Sequence, residues 1–157
     1  MTGRRTTIRT ATCVTAAVGM AMGAIAGSGA ASAAPPKALR VDQVPNVGVT
    51  VDKNGLSGGF AANLAATATS ADATRLRILP VGDACARTLG QTRVAITWRN
   101  ERTNRTDDVV FPTCTAGRPS SGAEIRAGHG RISFTTTIIG RADRAFTVTP
   151  GVGWFIH

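Results

Sequence analysis

Apolar residues recur at every second position along most of this chain, and that spacing commits it to half-buried β-strands. Leu76 and Ile78 alternate with Arg75 and Arg77; Val94, Ile96 and Trp98 alternate with Arg93, Ala95, Thr97 and Arg99. Ile132 and Phe134 alternate with Arg131 and Ser133, while Val47, Val49 and Val51 alternate with Gly and Thr. Phe60, Ala62, Leu64 and Ala66 follow the same rhythm. Phe60 and Leu64 also suit one helix face, but the threonines that follow favour a strand. Phe146 and Val148, then Val152, Trp154 and Ile156, complete the set. Asp52-Lys53-Asn54-Gly55 is a hairpin signal, because Asn and Gly tolerate the positive φ of a tight turn. Asn100–Asp107 reads as a turn, Thr115–Gly122 as a loop, and a further turn is expected near Gly140. Seven to nine short strands so punctuated predict an all-β, antiparallel β-sandwich over residues 47–157, entered through an extended, Pro-containing lead-in at 34–46.

The residues before that lead-in read differently. Arg4, Arg5 and Arg9 precede an uncharged apolar run, Ala11–Ala26, and Ala31-Ser32-Ala33 ends the stretch. Basic, apolar and small-residue regions in that order predict a secretory signal peptide over 1–33, cleaved after Ala33. The Arg4-Arg5 pair is similar to a twin-arginine signal, though Thr6-Thr7-Ile8 lacks the apolar pair expected next, so both export routes stay open. Removing 33 of 157 residues leaves 124, enough for one domain with its own core.

Export fits the cysteines. Cys13 leaves with the signal; Cys85 and Cys114 remain, and an even pair in an exported domain predicts a disulfide. Trp98 lies between them, but the second cysteine follows too soon for the bridge between sheets of an immunoglobulin domain. The bond is therefore expected to tie neighbouring strands or their loops. The charge is also informative. Of 18 basic residues, three lie in the signal, leaving 15 against 9 acidic ones, or +6. Such a protein is drawn to anionic surfaces, more strongly at low salt. With arginine far outnumbering lysine, the excess also matches a GC-rich coding bias.

The chemistry-bearing motifs are sparse. Gly55-Leu56-Ser57-Gly58-Gly59 matches the nucleophile-elbow pattern and is similar to the Gly-Asp-Ser-Gly-Gly of trypsin-like proteases, with Leu56 in place of Asp. It follows a hairpin turn rather than linking a strand to a helix, so its glycines read first as turn residues. His129, in Gly128-His129-Gly130, has no spacing that joins it to Glu124 or Ser133 as a triad. No catalytic residue is assigned; a small secreted hydrolase using Ser57 and His129 is a further alternative. Neither a metal site nor a cofactor is called for: Asp52-x-Asn54-Gly55 has its glycine too early for a calcium loop, and two histidines beside bridged cysteines make no zinc site.

Two features point to binding instead. If the apolar phase faces inward, Arg75, Arg77, Arg93, Arg99 and Arg131 face outward, and on neighbouring strands they form one basic face suited to phosphate or carboxylate polymers. The plainer reading is a solvated sheet face. The second feature is Arg118, in a loop beside Cys114, which would offer itself to a trypsin-like pocket in the manner of a secreted protease inhibitor. Nucleic acid is disfavoured: the chain has five Phe, two Trp and no Tyr, mostly in the inward phase, which leaves little for base stacking.

The signal ending in Ala-Pro-Pro, the Arg and Ala bias, the strand Ala95-Ile96-Thr97-Trp98 and the terminal Thr149-Pro150-Gly151-Val152-Gly153-Trp154-Phe155 resemble small exported proteins of actinobacteria. The resemblance implies an Ig-like architecture and no catalytic residue. The expectation is a secreted, non-enzymatic binding domain, extracellular or associated with the cell wall. Its partner would be an anionic wall polymer or lipid surface, or alternatively a secreted protease.

Overall fold

A computed structural model describes residues 35–140 and 145–157; the predicted signal peptide and the turn after Gly140 lie outside them. The described chain forms thirteen strands and one short helix. In order these are β1 (Lys37–Leu39), β2 (Val41–Val44), β3 (Asn46–Asp52), β4 (Gly55–Ala68), β5 (Thr74–Pro80), α1 (Ala84–Arg87), β6 (Arg93–Asn100), β7 (Thr106–Pro112), β8 (Cys114–Thr115), β9 (Arg118–Pro119), β10 (Ala123–Ile125), β11 (Arg131–Ile139), β12 (Ala145–Thr149) and β13 (Gly151–Ile156). Every pairing is antiparallel. Eleven strands make one sheet along the path β10-β5-β4-β3-β12-β11-β13-β2, with β6 and β7 continuing from β11 and β1 beside β4; β8 and β9 form a separate ribbon.

The expected all-β, sandwich-like architecture with one disulfide is therefore present. The strands outnumber the predicted seven to nine because the lead-in joins the sheet as β1 and β2 and the segment after Cys114 adds the short strands β8 and β9. They also lie on one continuous hydrogen-bonded path, whereas an immunoglobulin domain divides its strands between two sheets. Strand β4 explains the continuity. Its first half pairs with β3, its second half pairs with β5, and its last residues also pair with β1. Where the chain passes from β1, paired with β4, to β2, paired with β13, the Gln43 side chain fills the gap beside β4: its Nε2 donates to the Leu64 carbonyl at 2.8 Å and its Oε1 accepts from the Leu64 N–H at 2.7 Å. A side-chain amide thus stands in for a strand residue and satisfies both backbone groups.

One core lies between the inner faces. Phe60, Leu64, Leu76, Ile78, Val94, Ile96, Trp98, Ile132 and Phe134 are all buried, as their alternation predicts, and the Phe60–Ala66 stretch is strand rather than helix. Strands β3 and β13 run in the opposite phase. In β3 the inward residues are Asn46, Gly48 and Thr50, with Val47, Val49 and Val51 on the other face. In β13 Phe155 is buried, whereas Val152 and Ile156 are exposed and Trp154 is half-buried. The inner positions here are filled by polar and small residues: Asn46 donates to the Thr136 carbonyl at 2.8 Å, and a Cβ on Gly153 would collide with the Asp42 carbonyl of β2.

The disulfide joins α1 to the start of β8, with the two Cα atoms 5.5 Å apart. The expected loop after Cys114 contains a two-residue hairpin, with Ala116 at φ 49° and Gly117 at φ 73°, both in the left-handed region that such a turn requires.

Candidate functional site

All five predicted arginines point outward, but they do not share one face. Arg75 and Arg77 lie on β5, between β4 and β10; Arg93 and Arg99 lie on β6 and Arg131 on β11, which pair with each other. Strand β5 is a neighbour of neither β6 nor β11, so the basic face divides. Each arginine also has a local partner. Arg75 pairs with Glu124 at 3.6 Å and Arg77 donates to the Ser120 carbonyl at 3.2 Å. Arg93 donates to the Val110 carbonyl at 3.4 Å, Arg99 to the Asn104 side chain at 2.7 Å, and Arg131 pairs with Glu101 at 3.4 Å.

The β6–β11 group belongs to a more elaborate surface. Register places Arg99, Ser133, Trp154 and Asp42 in one row across β6, β11, β13 and β2. Arg131 stands opposite Ile156, and its guanidinium lies 4.4 Å from the centre of the Trp154 ring. Arg40, Asp42, Trp154 and Ile156 line an open groove of about 370 Å³ there, with Arg40 paired to Asp42 at 3.5 Å. A half-buried indole with a guanidinium on its face is a platform with charge beside it. It can stack on a flat sugar or glycol segment while Arg131 and Arg40 reach phosphate or carboxylate oxygens.

The phase reading missed Trp154 because it set Val152, Trp154 and Ile156 as the inward residues. It also missed the arginines of the β6–β7 turn. Arg102 donates from Nε to the His129 carbonyl at 3.1 Å, and Arg105 lies 5.7 Å over the Trp98 ring. Both belong to the turn, where strand alternation carries no information; their signal was the basic composition of Asn100–Arg105 itself. Asn100, fully buried, holds this end together. Its Nδ2 donates to the carbonyls of Ala127 and His129, and its Oδ1 accepts from the N–H groups of Arg102 and Thr103.

Ser57 and His129 are not brought together. Ser57 is the extra residue of a β-bulge in β4, since Thr50 pairs with Gly58 and Val51 with Leu56, and its hydroxyl donates to Thr50 Oγ1 at 3.3 Å. His129 is exposed, with its ring 5.4 Å from that of His157. The His157 ring in turn bonds the Ala73 carbonyl, next to the far end of β4. Ala68, at that end, is 68 − 57 = 11 residues along the strand from Ser57, or about 36 Å. A cleft of about 620 Å³ lies beside Ser57, and its lining includes Thr50, Ser57, Thr88, Asp52, Asp83 and Arg87. Hydrogen bonding from Arg87 holds the Asp83 carboxyl below its ordinary range. Among the described residues no three His, Cys, Asp or Glu side chains converge as metal ligands.

Arg118 is exposed on β9, opposite Thr115, in the hairpin whose first residue, Cys114, carries the disulfide. Among the described residues, no helix is long and apolar enough to cross a membrane. The Cys85–Cys114 bond suits an oxidising, extracellular setting. Comparison with protein-family models, with curated proteins and with solved structures finds no match to this chain.

Proposed function

We propose that the protein is an exported, non-enzymatic binding domain that attaches to anionic polymers of the cell envelope through the Trp154 groove. One observation carries the reading: the Arg131 guanidinium rests on the ring of Trp154, which lines an open groove together with Arg40, and Arg99 lies in the same row of the sheet as Trp154. Charge-assisted bonds from the guanidiniums give affinity for phosphate or carboxylate, and the indole supplies the flat contact that a bare lysine patch lacks. A surplus of basic residues outside the predicted signal strengthens the approach to such surfaces.

The test is co-sedimentation of the purified protein with a glycerol-phosphate polymer, against neutral dextran, at low and at molar salt. Binding should be specific for the anionic polymer, fall with salt, and drop about tenfold, worth roughly 1.4 kcal/mol, in Trp154→Ala and Arg131→Ala. Arg75→Ala and Arg77→Ala, on the separate strand β5, should retain it. Equal loss in both pairs of variants would replace the groove by net charge alone. Protein recovered free in the medium at low salt would overturn envelope attachment.

The hairpin at Arg118 supports a second reading, a secreted protease inhibitor. A two-residue turn with Ala116 held at positive φ, next to the disulfide, presents an exposed arginine on a stiff support. Titration against trypsin-like and subtilisin-like proteases decides it; absence of inhibition at micromolar excess removes it.

A further inference from the structure

Strand β4 is longer than the strand beside it, and the difference leaves backbone unpaired. Amide direction alternates along a strand, so the known bonds fix the rest. The Val81 N–H donates to the Ala61 carbonyl at 2.8 Å, which turns the Ala61 amide toward β5; Leu64 turns its own toward Gln43, on the opposite edge. Odd-numbered residues in this part of β4 therefore face β5. That strand ends at Pro80, opposite Ala62 and three residues short of covering Gly59, which pairs through β3 on its other edge. Among the described residues the Gly59 N–H and C=O have no backbone partner on the β5 side.

The unpaired edge opens into the 620 Å³ cleft, which both Gly59 and Val81 line. Gly59 is exposed and has no side chain to hold another backbone away, which is what close backbone approach requires. Farther along, the Ser57 bulge shifts the register, so the regular stretch of open edge is short. Charge in the cleft is uneven. Asp83 is paired with Arg87, whereas Asp52 takes part in no ion pair among the described residues and accepts only the Asn54 N–H, at 2.7 Å. The cleft therefore carries one carboxylate, that of Asp52, outside any ion pair among the described residues, beside the hydroxyl-bearing Thr50, Ser57 and Thr88.

We propose that this edge binds an extended peptide by strand addition: Gly59 supplies the central pair of backbone hydrogen bonds, and Asp52 receives a Lys or Arg side chain of the peptide. A single strand is the occupant that fits. A second copy would have to bring its own α1 wall into the same cleft, whereas a strand of about four residues spans only about 13 Å. This site is separate from the Trp154 groove and does not depend on it.

The probe is an N-acetylated, C-amidated hexapeptide alternating Thr and Lys, titrated into the intact protein while amide resonances and hydrogen exchange are followed. Saturation should slow exchange of the Gly59 amide at least about tenfold, and Asp52→Asn should weaken binding several-fold. The same peptide N-methylated at alternate residues keeps its charge but cannot pair with a strand edge, and it should leave the Gly59 amide unprotected. No binding by the unmethylated peptide, equal binding by the N-methylated one, or binding that leaves Gly59 exchange unchanged would each overturn the proposal. Trp154→Ala should leave peptide binding unchanged, so loss of the groove reading and loss of this one are distinguishable.

Discussion

The Arg131 guanidinium lies 4.4 Å above the Trp154 ring while its Nε sits 3.4 Å from a Glu101 carboxylate oxygen, so one side chain links the outer face of β13 to the β6–β7 turn. Half of the Arg131 side chain is exposed, so solvent screens the ion pair, and the stacking contributes the larger share. Arg131→Ala should cost about 1 kcal/mol of stability, and Glu101→Gln less than half of that. Urea titration measures both. A larger loss in Glu101→Gln than in Arg131→Ala would reverse the assignment.

Asn100 is fully buried and uses both ends of its amide to join the β6–β7 turn to the 127–129 segment. Asn100→Ala strands those carbonyls and N–H groups, and at about 1 kcal/mol or more for each buried group left unmet it should cost about 3 kcal/mol. Asn100→Asp keeps the acceptor but loses the donor and sets a carboxylate against two carbonyls. It should be no milder. The check is the urea midpoint, joined by hydrogen exchange at Gly128 and Gly130. Unchanged exchange there would show that the segment is held by other means.

Alternation located the core of β4, β5, β6 and β11 because those strands bury Leu, Ile, Phe and Trp on one side and expose polar residues on the other. It misread β3 and β13, where the inner positions are Asn46, Gly48 and Thr50 and, across the sheet, Gly151, Gly153 and Phe155. Glycine carries no hydropathic weight, so the outward valines set the apparent phase. The inner face there is tight and hydrogen-bonded, which favours small and polar residues over aliphatic ones. The candidate groove was illegible for the same reason: Trp154 belonged to the phase taken as inward. Cys85–Cys114 was legible from the cysteine count and the predicted export signal, and Arg75 and Arg77 were separated from Arg93, Arg99 and Arg131 by strand order, which local spacing does not encode.

The disulfide closes a 29-residue loop that contains β6 and β7. Constraining a loop of that length in the unfolded chain is worth about 3.5 kcal/mol. Reduction, or the paired substitution of Cys85 and Cys114 by Ser, should lower the thermal midpoint by more than about 10 °C in a domain of this size. Calorimetry with and without reductant measures the shift. A negligible shift would mean that the loop is already restrained in the unfolded state.

Among the described residues, Asp72 and Asp83 have carboxyls held below their ordinary value of 3.8, and both contribute to the pH dependence of stability in acid. For Asp72 the Ser70 hydroxyl, 2.8 Å away, is the main cause, with Arg126 adding to it; for Asp83 the cause is the hydrogen bond from Arg87. A carboxyl whose folded-state value is depressed lends stability that is complete above its unfolded value and is lost as pH falls through the folded one. The wild type should therefore lose this contribution below about pH 4, and Asp72→Asn and Asp83→Asn should flatten that part of the profile. Each variant should be the less stable protein at neutral pH and draw level with the wild type in strong acid. Urea midpoints taken across that range test the sign; a gap that widens toward acid would show that protonation elsewhere governs the acid limb.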